Sequence, residues 1–364
     1  MSERCVKLTT YFGERDRTPR RLLADELLDI YAEHGVRASV LLRGAEGFGR
    51  LHHLHTDRLL SLSEDLPVVS IALDTPERIE SLLTRVLAVK RKGLITLERA
   101  RLASADDAVA ATDAVAATDA ERMDAEKLTV FVGRRERVGA SAAFAAICDL
   151  LHRHGLGGAS VLLGVDGLRG ARRERARFFS RNADVPLMIE AVGSRERVAA
   201  VLPELRRMLH EPLITLERAR VCKRDGELLE VPHELARSDE HGRSLWQKLT
   251  VYSSHSATHE GRPLHLEIVR RLRASDSAGA TCMTGIWGFH GDRPPHGDRL
   301  LQIRRHVPVV TVAIDSPERI ARSFAIVDEL TSGHGLVTSE VVPAMRALSG
   351  ATAAGSLRLG EHSR

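Results

Sequence analysis

The chain has little cysteine, little excess charge of either sign, and no long apolar run. Four cysteines, Cys5, Cys148, Cys222 and Cys282, are scattered through 364 residues with no paired or metal-type spacing. That excludes a disulfide framework and a thiolate metal site, and makes free thiols in a reducing compartment the expectation. Lys plus Arg number 53 against 49 Asp plus Glu, and the two signs are interspersed. The net charge of +4 and isoelectric point of about 9.0 therefore lack the concentrated basic face that nucleic acid requires, and no nucleic-acid partner is expected. No stretch is apolar for long enough to cross a bilayer and the first residues show no signal pattern, so a soluble, cytoplasmic chain without membrane insertion is expected. No nucleophile, base and orienting group recur together, and no motif frames a pair of carboxylates, so an enzyme is not expected.

What the chain does contain is one paragraph of roughly a hundred residues written three times. Lys7-Leu8-Thr9 returns as Lys127-Leu128-Thr129 and as Lys248-Leu249-Thr250. Each opens a unit that closes on an apolar strand: Gly93 to Thr96, Pro212 to Thr215, Gly335 to Thr338. Asp65 to Val69, Asp184 to Met188 and His306 to Val310 also correspond, as do Glu77-Arg78, Glu196-Arg197 and Glu318-Arg319. A repeat this long is a domain, not a solenoid brick. The boundaries read as repeats over 1–102, 127–221 and 248–348. Between them lie an Ala/Asp-rich tether (103–126) and a richer linker (222–247) in which Leu228, Leu229, Val231, Leu235 and Trp246 are placed to pack, and a tail (349–364) is expected to fray.

Within repeat one, Lys7 to Phe12 alternates with a period of two, predicting a strand. Thr18-Pro19 predicts a helix cap ahead of a stripe of Leu22, Leu23, Leu27, Ile30 and Tyr31. Val40 to Leu42 and Pro67 to Leu73 read as strands. Thr75-Pro76-Glu77 caps a second helix striped by Ile79, Leu82, Leu83, Val86 and Leu87, and Leu94 to Leu97 is a last strand. The order βαββαβ is that of an α+β, ferredoxin-like sheet with both helices on one face. In the third strand even Val68, Ser70 and Ala72 are small or apolar, so neither face is built for water. The expected cover for the free face is the other two repeats, packed as an intramolecular pseudo-trimer, which makes the whole chain a monomer.

The least ordinary segment follows the second strand: Arg43-Gly44-Ala45-Glu46-Gly47-Phe48-Gly49-Arg50, then His52, His53, His55 and Asp57-Arg58. Repeat three has Gly285-Ile286-Trp287-Gly288-Phe289, then His296-Gly297-Asp298-Arg299. A strand followed by Arg-Gly-x-x-Gly-Phe-Gly, a His-rich stretch and an Asp-Leu-Pro strand resembles the family known as domain of unknown function 190, whose fold is similar to the PII signalling proteins. The resemblance covers all three repeats. It implies a trimeric ferredoxin-like assembly with small-molecule sites in the clefts between neighbours, where PII relatives bind adenine nucleotides. It also implies a membrane transporter or channel as partner, through a genomic association of some members with fluoride channels. The family has no settled activity.

Read as chemistry, glycines 44, 47 and 49 permit positive φ and bare amides that form an anion nest. Arg43 and Arg50 add charge-assisted bonds, and Phe48 offers a stacking face. The competing reading makes the glycines turns and Phe48 a plug at a domain interface. The candidate ligand residues are Arg43, Gly44, Gly47, Phe48, Gly49, Arg50, His55 and Asp57, with Gly285, Gly288, Phe289, His296 and Asp298 in repeat three. Repeat two reads Gly164-Val165-Asp166-Gly167-Leu168-Arg169, without the aromatic or the His-x-Asp-Arg element, and is expected to be structural. No carboxylate or thiol completes a ligand set around the histidines, so no metal is expected. The sequence thus points to a non-enzymatic PII-like regulatory protein binding a small anionic ligand between repeats, with a nucleotide left open as the cofactor. A ligand-free interaction or structural module and a metal-binding pseudo-trimer are its rivals.

Overall fold

The computed structural model describes residues 3–49, 54–56, 65–104, 124–169, 172–175, 185–291, 293–297, 307–350 and 352–361. Three tandem units of mixed helix and strand fill it. In repeat one Arg4–Gly13 pairs on one side with Pro67–Asp74 and on the other with Lys92–Leu102, and Ala38–Arg43 lies outside Pro67–Asp74. All pairings are antiparallel, giving the order fourth, first, third, second. Repeat two has the same order with Leu213–Arg224, Asp124–Gly133, Pro186–Ser194 and Gly158–Arg169. Repeat three has it with Leu336–Val342, Trp246–Ser254, Pro308–Asp315 and Ala280–Thr284.

Each repeat carries a helix of 11 residues and one of 14: Leu23–Glu33 and Pro76–Val89, Ala143–Arg153 and Arg195–Met208, Leu264–Ala274 and Pro317–Leu330. The second helix starts as its sequence predicts, with Pro76 in the first turn and the Thr75 hydroxyl accepting from Arg78 N. The first helix does not. Thr18 caps a tight turn, its hydroxyl accepting from Arg20 N and Arg21 N, and the helix opens at Leu23 without a side-chain cap. Its first amide is satisfied instead by the Asp16 carbonyl, as Ala143 N is by Glu136 and Leu264 N by Ala257. A backbone carbonyl held in a small turn satisfies an orphan helix donor as a capping hydroxyl does.

Alternation along each strand sends one set of side chains under the helices and the other inward. In repeat one Leu8, Phe12, Val68 and Ala72 pack with Leu27, Tyr31, Leu82 and Val86. The inward set, Val69, Ile71 and Leu73, shares a single core with Phe131, Met188, Val192, Tyr252, Val310, Val312 and Ile314. The free face of each sheet is thus covered by the other two. In the linker, Leu229 and Trp246 pack against this core, whereas Leu228 and Val231 are exposed beside the short Lys223/Leu228 hairpin. Thr352–Ser356 pairs with Ala344–Ser349 as a hairpin, because the latter is itself anchored on repeat one. The tether at 105–123 lies outside the described residues. No described helix is long and apolar enough to cross a membrane.

Candidate functional site

The glycine segment after the second strand is a hook that adds a strand to a neighbouring repeat. Glu46–Phe48 of repeat one pairs with Ala280, Thr281 and Cys282 of repeat three. Trp287–His290 of repeat three pairs with Gly158–Val161 of repeat two, and Gly164–Arg169 of repeat two pairs with Ala38–Leu42 of repeat one. A second cycle runs the other way round through the ends of the fourth strands. Arg101 and Leu102 pair with Leu216 and Thr215, Arg220–Arg224 with Leu336–Ser339, and Ala344–Ser349 with Lys92–Leu97. This is why Lys92–Leu102 runs five residues beyond the predicted strand at Leu97.

The hook accounts for Gly44 and Gly47 by close approach and not by turn geometry. Gly44, Gly47 and Gly49 are not among the residues with positive φ, so the expected nest of amides does not form. A Cβ on Gly47 would lie 2.7 Å from the Ala280 carbonyl oxygen, and one on Gly167 or Gly288 would overlap the Ser39 or Ala159 carbonyl. Ala45 N donates to the Cys282 carbonyl at 2.8 Å, and Ile286 N to that of Val161 at 2.9 Å. Phe48 is buried among Leu249, Ile268 and Ala280 of repeat three, and Phe289 among Leu128, Ile147 and Ala159 of repeat two. Neither ring face is available to stack on a base. Repeat two, read from its sequence as degenerate, does the same thing: Leu168 enters the core of repeat one beside Leu27 and Ile79.

The remaining candidates divide. Arg43 is half exposed, its guanidinium 2.9 Å from the Glu14 carboxylate. His55 and His296 lie opposite Gly47 and Gly288, each in a short strand that folds back on its hook. His296 Nδ1 is 2.9 Å from the Pro294 carbonyl, whereas the His55 side chain, Arg50, Asp57 and Asp298 lie outside the described residues. A Cβ on Gly49 would meet nothing within 4 Å, and Gly285 donates its amide to Pro308 O at 2.7 Å.

A group that was not singled out from the sequence sits where the three repeats meet. Lys7, Lys127 and Lys248 lie directly across their sheets from Glu98, Glu217 and Glu340. Each lysine also reaches the next repeat. Lys7 bonds Glu98 at 3.2 Å and Glu217; Lys127 bonds Glu217 at 3.4 Å and Glu340 at 2.5 Å; Lys248 bonds Glu340 at 2.7 Å and Glu98. The six groups close a hexagon of alternating sign with no net charge, and all are buried. Burial alone would push the Glu98 and Glu340 carboxyls up. The facing ammonium groups override it, holding Glu98 far below the carboxylate range and Glu340 at about 2. Burial likewise disfavours the Lys7 and Lys127 ammoniums, and the carboxylates more than compensate. Among the described residues these three glutamates are the one group of metal-type side chains, with oxygens within 4.8 Å of one another. Three ammonium groups already hold them, so the donor set does not fit a cation. The signal in the sequence was a lysine at the same inward strand position three times and a glutamate two residues after Thr96, Thr215 and Thr338.

Comparison with known proteins agrees with the threefold reading. Residues 5–102, 125–221 and 246–344 each match the family described as uncharacterized ACR, domain of unknown function 190. A UPF0166 protein of Aquifex aeolicus (strain VF5) is 30% identical over 95 residues, 26% of this chain and 88% of that protein. Another match to a UPF0166 protein of the same organism is 31% identical over 70 residues, 19% of this chain and 73% of that protein. Among solved structures, CrmK, a flavoenzyme of caerulomycin biosynthesis, aligns at 14% identity and a TM-score of 0.19 over 82% of this chain and 55% of its own, a likeness that carries no argument. The chain belongs to the domain of unknown function 190 family, three copies in tandem.

Proposed function

We propose that this chain is a non-enzymatic, PII-like regulatory module. Three ferredoxin-like units form an intramolecular pseudo-trimer that acts on a partner through the segments following its three hooks. The observation that carries this reading is the pair of cyclic strand exchanges, in which every repeat is completed by both neighbours. Strand addition of this kind spends the motif residues on assembly and leaves the segments beyond it to differ. They do differ: 50–64 is His-rich, 170–184 Arg-rich, and 298–306 mixed. A transporter or channel is the class of partner the family association suggests. Chemistry at the thiols is disfavoured, because burial pushes Cys5 up to about 11 and Cys222 up to about 12.

A second reading, a small anion such as an adenine nucleotide held at the base of a hook, is favoured by the half-exposed Arg43. Thermal-shift and calorimetric titration of the whole chain with ATP, ADP, cyclic nucleotides and divalent metals separates the two. Stabilisation by a nucleotide, weakened by about 1.5–3 kcal/mol in Arg43→Ala, supports the ligand reading. Silence throughout supports a partner-directed module. Scattering tests the architecture that both share: a compact monomer is expected, and an extended string of domains or a trimer of whole chains would overturn it.

A further inference from the structure

Beside the charge hexagon lies a cavity of about 30 Å³, walled by the three lysines and by Thr9, Tyr11, Glu190 and Tyr252 among others. The levels of this core are threefold up to a point. Lysine and threonine recur in all three first strands, and the next inward position is Tyr11, Phe131 and Tyr252. On the third strands the facing position is Ile71 in repeat one, Val312 in repeat three, and Glu190 in repeat two. One carboxyl therefore stands on the inner wall where its two counterparts are aliphatic. Glu190 is half-buried there, and a polar group withdrawn from water is costly unless it is hydrogen-bonded. Two hydroxyls share the problem: Thr9 Oγ1 and Tyr252 Oη belong to residues 2% and 3% exposed and have no protein partner.

We propose that this chamber is a built hydration site, holding ordered water between the Glu190 carboxyl and the hydroxyls of Thr9 and Tyr252. The space open to a water's centre exceeds the roughly 10–15 Å³ that one molecule requires, and three polar partners are what a buried water ordinarily finds. Burial disfavours the Glu190 carboxylate by more than Lys127 and Lys7 favour it, so its pKa is raised. A carboxyl accepts from a water in either protonation state, which an aliphatic side chain at that position cannot do. The water thus lets repeat two keep a carboxyl at a strand position where repeats one and three carry Ile71 and Val312.

Oxygen-17 relaxation dispersion on the full chain, which counts long-lived internal waters, tests this against the double variant Glu190→Val/Tyr252→Phe. The expected result is the loss of at least one such water, and an unchanged count overturns the proposal. Should the double variant fail to fold, a high-resolution crystal structure of the native chain decides. A spherical peak within hydrogen-bond distance of all three groups supports the site. A dry chamber, or an anomalous bromide peak there after soaking, overturns it.

Discussion

The hooks of repeats one and two make the same contact with different residues, whereas the charge hexagon makes its contact with the same residues three times. In the hooks Phe48 and Leu168 occupy equivalent places, one aromatic and one aliphatic, and the flanking Arg43 has Leu163 as its counterpart. What the two share is a glycine pressed against a carbonyl and a backbone in register with a neighbour. Strand pairing is indifferent to side-chain identity so long as nothing blocks the approach. Charge pairing in a buried site is not, since each ammonium there needs two carboxylates and each carboxylate two ammoniums. The difference explains why the loop motif degenerates across repeats while Lys-Leu-Thr does not.

The largest test of the contrast falls on the hexagon. Lys127→Met leaves Glu217 and Glu340 each short of a buried partner and should destabilise the chain by about 3–5 kcal/mol in denaturant unfolding, with Lys7→Met and Lys248→Met close behind. Exposed Lys92→Met is the comparison, expected within about 0.5 kcal/mol. Equal effects at Lys127 and Lys92 would mean that the hexagon contributes nothing.

A smaller effect tests the hooks. Gly47→Val and Gly167→Val should each cost about 1–3 kcal/mol by overpacking, without regard to the aromatic that only repeat one carries. Gly49→Ala, with open space around it, should be nearly silent. A large loss at Gly47 beside none at Gly167 would restore the view that repeat two's hook is vestigial.

The smallest and most gradual effect is on acid stability. Glu98 and Glu340 have folded pKa values below the ordinary 4.5, so their contribution is fully present above that value and is lost as pH falls through the folded ones, near 2 for Glu340. The melting temperature should therefore decline between about pH 4.5 and pH 2. Glu340→Gln should show a lower plateau and a shallower slope, and a parallel decline in both would remove the hexagon as the cause.

How far the fold was legible follows from which signals are local. Thr75-Pro76 announces the second helix because capping is decided within four residues, whereas Thr18-Pro19 misleads because the same residues satisfy a turn. The hook motif was legible as something unusual, but a glycine means either positive φ or close approach, and only the neighbour's carbonyl says which. Phe48 was legible as base-stacker or plug for the same reason.

The sequence by itself determined the three repeats, their βαββαβ order and the apolar inner faces, because periodicity and repetition are written along the chain. Only the tertiary structure decided that Lys7 bonds Glu217 as well as its own Glu98, that Phe48 belongs to repeat three's core, and that Glu190 shares a cavity with Thr9 and Tyr252. Strand alternation tells a side chain which face it is on. What stands across from that face depends on residues a hundred or more positions away, brought there by backbone pairings that carry no side-chain signature.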